Sequence, residues 1–188
     1  VYNTIATNIT TAVGIHLLPN YAAAFDLEKQ AALAEQIPAQ YQNNERIARF
    51  INSVEVAKKT AVGQKYIDFA MNNPEGKEVK LSDFIGKNKY TLVDFWASWC
   101  GPCKAEMPHL KKAYETFKGK NLQIVGIAVS DKREDTMREL EKLQLPWSQI
   151  VDAQGTPKNI YGVKYIPHLI LFGPDGTILK RGLRGEQI

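Results

Sequence analysis

The chain has 188 residues, of which 44% are hydrophobic and 23% charged, and its formal net charge is +4. This is an ordinary globular composition that allows one or two hydrophobic cores. Lysines occur in pairs such as Lys58-Lys59 and Lys111-Lys112, whereas a nucleic-acid surface needs a basic cluster on one face. No stretch of the sequence approaches the roughly 20 apolar residues of a membrane-spanning helix.

The N-terminal third of the chain carries helical signals. Residues 2–17 predict a helix that ends before Pro19, although their Thr and Ile residues lower the helix propensity. A second helix is predicted between Asp26, a typical N-cap residue, and Pro38. Apolar residues at helical spacing predict an amphipathic helix over 43–60.

After Gly63 the predicted elements alternate between strands and helices. They are two short strands around an Asn-Pro-Glu-Gly turn, a buried strand over 90–97, a helix over 101–118, a buried strand over 122–129, a helix over 132–143, and paired strands over 168–173 and 177–182. This order predicts an α/β fold, with a central mixed sheet flanked by helices. We therefore divide the chain into a helical segment, 1–62, and an α/β domain, 63–188, whose closing C-terminal helix we expect to be truncated.

The two cysteines of the chain, Cys100 and Cys103, lie at the predicted junction of a strand and a helix. A thiol at a helix start faces unpaired backbone N–H groups and the positive end of the helix dipole, so the thiolate is favoured. Pro102 suits the first helical turn. Cys103 then lies one turn inside the helix, where it can resolve a mixed disulfide.

Two other interpretations of the cysteine pair stay open. A zinc or copper site would need further ligands, and His109 and His168 are the histidines that follow the pair. A structural disulfide across two residues would remove little chain entropy. Both alternatives are less consistent with the position at a helix start than a redox pair is.

Three other residues near the cysteines are candidates for the site. Asp94 lies within a buried strand, where a carboxylate is costly unless it is paired or protonated. It either bonds to solvent or lysine at the strand end, or lies beneath the helix with a raised pKa that suits proton exchange with Cys103. Glu106, three residues after Cys103, shares the same helix face and either lies near the site or is a solvated side chain. Trp99, beside Cys100, is predicted to cover that thiol partly and to contact partners.

Pro167 lies just before the predicted strand over 168–173. Proline is excluded from the bonded interior of a central strand, so it marks the strand entry, with either a cis or a trans peptide bond. A cis bond would leave the N–H and carbonyl of Ile166 free to pair with an extended substrate chain.

The stretch "VDFWASWCGPCKAEMP", followed much later by "IPH", resembles thioredoxin. The resemblance covers about 63–188 and implies a thioredoxin-like fold. It also implies that Cys100 is the nucleophile, that Cys103 resolves, that Asp94 assists proton transfer, and that Pro167 is cis. We assign substrate binding to the neighbouring residues Trp99, Gly101, Pro102 and Ile166.

The N-terminal hairpin, the segment inserted after 122–129 and Glu106 resemble the TlpA/ResA-like thiol-disulfide oxidoreductases, in which Glu106 would be an active-site group. The preceding helical segment is similar to that of the Bacteroidetes type, in which a further N-terminal β domain often comes first. The resemblance implies a periplasmic or cell-envelope location, with a lipid anchor in the full-length protein; the cytoplasm is the second choice.

A peroxidase of the peroxiredoxin kind is the nearest rival, but it needs Pro-x-x-x-Thr-x-x-Cys, and Val93 and Ala97 occupy those positions. The sequence therefore predicts a reductant of protein disulfides that uses no cofactor and no metal. Implied partners are apocytochrome c or other periplasmic proteins and a membrane or thioredoxin-type electron donor. The other hypotheses are a binding module in which 1–62 recruits a partner, and a copper or zinc carrier.

Overall fold

The structure is a computed structural model that describes residues 1–151 and 155–188. By its internal contacts the chain divides into two compact units, Val1–Lys59 and Thr60–Ile188. The first unit is helical. Its helices are α1 (Tyr2–Asn8), α2 (Ala12–Tyr21), α3 (Leu27–Glu35), α4 (Ala39–Gln42) and α5 (Glu45–Lys59).

The prediction of one helix over 2–17 is wrong, because α1 and α2 are separate and α2 continues through Pro19 to Tyr21. The break has a local cause. The Thr11 hydroxyl accepts a hydrogen bond from the backbone N–H of Gly14 and so caps α2. A Cβ on Gly14 would lie 2.1 Å from the Asn8 carbonyl oxygen, so the two helices approach closely only because this residue is glycine.

The other two predicted helices of the first unit are present. The Asp26 side chain accepts a hydrogen bond from the Lys29 N–H at 2.8 Å and caps α3 as expected. On α5 the buried residues are Ile47, Phe50 and Val54, which recur at the spacing of one helix face. They join an apolar core that lies within this unit.

The second unit contains a seven-stranded mixed sheet within the described residues. Its elements are β1 (Ala70–Asn72), β2 (Glu78–Lys80), β3 (Tyr90–Trp96), α6 (Gly101–Phe117), β4 (Leu122–Ala128), α7 (Arg133–Leu143), β5 (Ser148–Val151), α8 (Thr156–Ile160), β6 (His168–Phe172) and β7 (Ile178–Leu183). The strand order is β2-β1-β5-β4-β3-β6-β7. Strands β3, β4 and β5 are parallel to one another, and the remaining pairs are antiparallel. The predicted fold class is confirmed.

Two elements of this unit, β5 and α8, are additions to the predicted set. Strand β5 is four residues long and forms the parallel neighbour of β4. At the C-terminus the described chain forms a short 3₁₀ turn over Gly185–Gln187, after β7.

Strand β3 lies near the centre of the sheet and is covered on both faces, which explains its nearly continuous apolar sequence. Val93 and Phe95 belong to the core on one face. Leu92 and Trp96 belong to the core on the other face, together with residues of α6 such as Leu110. Because side chains alternate along a strand, Asp94 points to the same face as Leu92 and Trp96, which is the α6 face.

Candidate active site

The two cysteines lie at the start of α6, directly after the loop that leaves the carboxyl end of β3. Cys100 is the N-cap residue, and its sulfur is bonded to that of Cys103 at 2.05 Å. The Cys103 backbone N–H donates to Cys100 Sγ at 3.1 Å, so an unpaired amide of the first turn is directed at this sulfur. Both residues are buried, Cys100 with 4% of its surface exposed and Cys103 with none. Gly101 and Pro102, between them, are exposed.

The loop before Cys100 is held by a buried carboxylate, Asp131, which follows β4. Asp131 accepts hydrogen bonds from the Ser98 N–H at 2.6 Å, the Ser98 hydroxyl at 3.0 Å and the Thr136 hydroxyl at 2.9 Å. Asp131 lies just before the predicted helix over 132–143 and was not among the predicted site residues. The parallel pairing of β3 and β4 brings their carboxyl ends to one edge of the sheet, and this was the signal that could have linked Asp131 to the cysteine loop.

Trp96 and Trp99, on either side of the loop before Cys100, have different environments. Trp96 is fully buried in the core of the α6 face. Trp99, beside Cys100, has 63% of its surface exposed, and its indole N–H donates to the Ser130 carbonyl at 3.0 Å. This bond fixes an exposed aromatic ring next to the disulfide, which is a suitable surface for contact with another protein.

Asp94 has only 1% of its surface exposed. Burial raises the pKa of its carboxyl to about 7, while the charge of Arg184 opposes this rise and that of Glu106 adds to it. Within the described residues its Oδ1 atom has no hydrogen-bond partner. Cys103 packs in the same apolar core as the flanking residues of β3 that point to this face. The structure therefore supports the buried alternative for Asp94 rather than one bonded to lysine at the strand end.

Glu106 lies three residues after Cys103 on α6 and is half-buried. Its Oε2 atom accepts a hydrogen bond from the Gly185 backbone N–H at 2.9 Å, which ties the segment after β7 to α6. Its negative charge contributes to the raised pKa of the Asp94 carboxyl. Arg184 precedes Gly185 and is the cationic group that acts on the same carboxyl.

The peptide bond between Ile166 and Pro167 is cis, as the resemblance implies. Pro167 is buried at the entry to β6, and Ile166 is half-buried. Hydrogen bonds of the described residues include none to the backbone N–H or carbonyl of Ile166. The adjacent Tyr165 is largely exposed, so an extended chain can reach this backbone from solvent.

The histidines do not form a metal site with the cysteines in the part of the chain that the structure describes. His109 is exposed on α6. His168 lies on β6 near Arg181, with 3.5 Å between its Nε2 and an arginine nitrogen, and burial together with Arg181 lowers the pKa of its imidazole to about 4. The described residues contain no group of three or more His, Cys, Asp or Glu side chains that could hold a metal ion. The carrier hypothesis gains no support from the structure.

The cysteine pair lies at a helix start, and a buried aspartate lies beneath it on a central strand of a mixed sheet. This arrangement defines a thiol-disulfide oxidoreductase of the thioredoxin class. Residues 62–181 match the model of the AhpC/TSA family. This match extends over more than half of the chain, and the chain belongs to that family.

Two relatives among curated proteins are named thiol-disulfide oxidoreductase ResA. The protein from Geobacillus thermodenitrificans is 30% identical over 120 residues, which cover 64% of this chain and 68% of the relative. The protein from Bacillus subtilis is 27% identical over 130 residues, covering 69% of this chain and 72% of the relative.

Solved structures of thiol-disulfide oxidoreductases are also similar to this chain. The thioredoxin domain of a thiol-disulfide oxidoreductase from Bacteroides vulgatus superposes with a TM-score of 0.62 and 32% identity, covering 68% of this chain and 91% of that one. A thiol-disulfide oxidoreductase from Bacteroides fragilis has a TM-score of 0.61 and 31% identity, covering 66% of this chain and 94% of that one.

Proposed function

We propose that this protein reduces protein disulfides, with Cys100 as the attacking thiolate and Cys103 as the resolving thiol. The observation that carries the proposal is the position of Cys100, whose sulfur caps α6 and accepts the Cys103 N–H. In the reduced protein the same amide and the helix dipole would stabilise a Cys100 thiolate, which is the reactive form. Cys103, without any exposed surface, is poorly suited to meet a substrate first.

The reaction proceeds in two exchanges. The Cys100 thiolate attacks one sulfur of the substrate disulfide, so that a mixed disulfide forms and the other substrate sulfur leaves as a thiolate. Cys103 then loses its proton and attacks Cys100 Sγ, which releases the second substrate sulfur. The substrate gains two electrons and, on protonation, two thiols, while the protein ends with the Cys100–Cys103 disulfide.

Asp94 is the proton acceptor that we assign to Cys103. It lies beneath α6 on the sheet face where Cys103 packs, and burial brings its pKa to about 7. A general base is most effective when its pKa lies near the working pH. Glu106 and Arg184 act on this carboxyl with opposite signs, so we assign them a positioning role beside it.

The substrate surface that we propose surrounds the disulfide. Gly101 and Pro102 are exposed, and Trp99 offers an exposed ring that is held by its bond to Ser130. An extended substrate strand would pair with the backbone of Ile166, whose N–H and carbonyl are not used by the described residues. Main-chain pairing of this kind accepts many sequences, which suits an enzyme that acts on several proteins.

We also propose an extracytoplasmic location, in the periplasm or at the cell envelope. The resemblance to TlpA/ResA-like proteins and the similarity to proteins named ResA support it. In the described residues no helix is both long and apolar enough to cross a membrane. Oxidised envelope proteins, apocytochrome c among them, are then the candidate substrates, and a membrane or thioredoxin-type reductant is the candidate electron donor.

Reduction of insulin by dithiothreitol, followed by turbidity, tests the proposed activity. The wild-type protein is expected to accelerate the precipitation of insulin, and Cys100→Ser is expected to abolish the acceleration. His109→Ala, at an exposed residue of the same helix, is the matched control and should keep full activity. Undiminished insulin reduction by Cys100→Ser would show that the proposal is wrong.

A further inference from the structure

A row of three paired residues crosses the sheet from Asp94 to Gln149. Asp94 on β3 pairs with Gly126 on β4, and Gly126 pairs with Gln149 on β5. Residues paired in register point to the same sheet face, so Asp94 and Gln149 both lie on the α6 face. Neighbouring strands are about 4.8 Å apart, and Gly126 has no side chain to separate the two polar groups.

The Gln149 side chain occupies the space that Gly126 leaves. A Cβ on Gly126 would lie 2.2 Å from Gln149 Oε1 and 2.7 Å from Gln149 Nε2, so the amide covers the glycine. The Trp96 indole N–H donates to Gln149 Oε1 at 3.1 Å. Because this bond uses the oxygen, it sets the orientation of the amide and leaves its NH₂ group to another partner.

Both polar groups of the row are buried and incompletely bonded. In the described part of the chain neither Gln149 Nε2 nor Asp94 Oδ1 has a hydrogen-bond partner, and Gln149 has 7% of its surface exposed. A buried donor and a buried acceptor without partners are both costly. Asp94 and Gln149 are two strand spacings apart, but the Gln149 amide lies over Gly126 on the strand between them. About one strand spacing therefore separates the amide from the strand of Asp94, and a single water molecule can bridge polar groups across such a gap. A cavity of about 690 Å³ is lined by Gln149 and Trp147, so the β5 end of the row borders on space that is open to solvent.

We propose that Gln149 is a positioning residue of the dithiol reaction, which holds one buried water molecule between its amide NH₂ and the carboxylate of Asp94. The inference rests on the proposed role of Asp94 as the proton acceptor. A donor at this position stabilises the ionised carboxylate and so opposes the effect of burial. The other groups that act on Asp94 are Arg184, which favours ionisation, and Glu106, which disfavours it, while Cys103 faces this side of the sheet from α6.

The test is the titration of Asp94 in the full, oxidised chain, followed by carboxyl ¹³C NMR. In Gln149→Met, which keeps the side-chain length but has no N–H donor, the pKa of Asp94 is expected to rise by roughly one unit. The matched control is Gln123→Met on β4. Gln123 donates to Thr91, whose side chain points to the opposite face, and this variant should leave the Asp94 titration unchanged.

Trp96→Phe provides a second variant, because it removes the N–H that orients Gln149 and keeps Gln149 itself. It should also raise the pKa of Asp94, by a smaller amount than Gln149→Met does. In the reduced protein, the single variant Asp94→Asn is compared with the double variant that also carries Gln149→Met. Because Gln149 acts through Asp94, the two variants should show the same pH profile of cysteine alkylation. An Asp94 titration that is unchanged in Gln149→Met, or shifted equally in Gln123→Met, overturns the inference. The titration needs no substrate, so its outcome is independent of whether the protein reduces insulin.

Discussion

Ser98 donates both its backbone N–H and its hydroxyl to the carboxylate of Asp131, at 2.6 and 3.0 Å. The two bonds join the loop that presents Cys100 to the loop that follows β4. Because the same carboxylate also accepts from the Thr136 hydroxyl in a buried setting, it holds the cysteine loop to the start of α7. The disulfide is therefore positioned by a residue that lies 31 positions after Cys100 in the chain.

Asp131→Ala is expected to destabilise the fold by about 3 kcal/mol, because it leaves buried donors of Ser98 and Thr136 without their acceptor. Urea unfolding of the oxidised proteins measures the loss. Asp135→Ala, at a surface ion pair with Arg138, is the control and should cost less than about 1 kcal/mol. Equal losses in the two variants would mean that Asp131 has no special role in the loop.

The buried carboxyl of Asp94 makes the stability of the oxidised protein depend on pH. Its pKa is about 7 in the folded protein and about 3.9 when the chain is unfolded. Between these values the folded state keeps a proton that the unfolded state has lost, so the stability falls as the pH rises from about 4 to about 7. The loss is at most on the order of 4 kcal/mol.

Asp94→Asn removes this titration. The oxidised variant is expected to match the wild type in stability near pH 4 and to exceed it increasingly up to pH 8, in urea unfolding at a series of pH values. Glu115→Gln, at an exposed residue of α6, is the control and should change the stability little at each pH. A stability gain in Asp94→Asn that stays constant from pH 4 to pH 8 would contradict the assigned pKa.

Local sequence signals were sufficient for the start of α3 and for the central strands. Asp26 marked α3 by its capping side chain, and the apolar run of β3 marked a strand that is covered on both faces. The prediction of one helix over 2–17 failed because its break depends on close backbone contact at Gly14, which no periodicity reveals.

The parts of the site that were missed depend on contacts between distant segments. Strand β5 has only four residues and, unlike the shorter strands β1 and β2, is not marked by a turn such as Asn-Pro-Glu-Gly in the sequence. Gln149 acquires its place beside Asp94 only through that strand and through the absence of a side chain at Gly126. The carboxylate of Asp131 likewise meets Ser98 only after β3 and β4 have paired.

Tyr161, a residue of the core, forms two hydrogen bonds with the segment before β1. Its hydroxyl accepts from the Ile67 N–H at 2.9 Å and donates to the Ile67 carbonyl at 2.7 Å. Tyr161→Phe leaves both backbone groups unpaired, so we expect a loss of about 1–3 kcal/mol in urea unfolding. Tyr90→Phe, at an exposed ring, is the control and should change the stability little. If Tyr161→Phe is as stable as the wild type, these two hydrogen bonds do not hold the segment.

The central claim is that Cys100 attacks and Cys103 resolves. Its most direct test is the rate at which Cys103→Ser and Cys100→Ser, each with one remaining thiol, form a mixed disulfide with an oxidised peptide, followed by intact-protein mass. Cys103→Ser is expected to form a stable adduct at least about tenfold faster near neutral pH, because only Cys100 has the helix-start position that favours the thiolate. An adduct that forms as fast or faster on Cys103 in the Cys100→Ser variant would contradict the account.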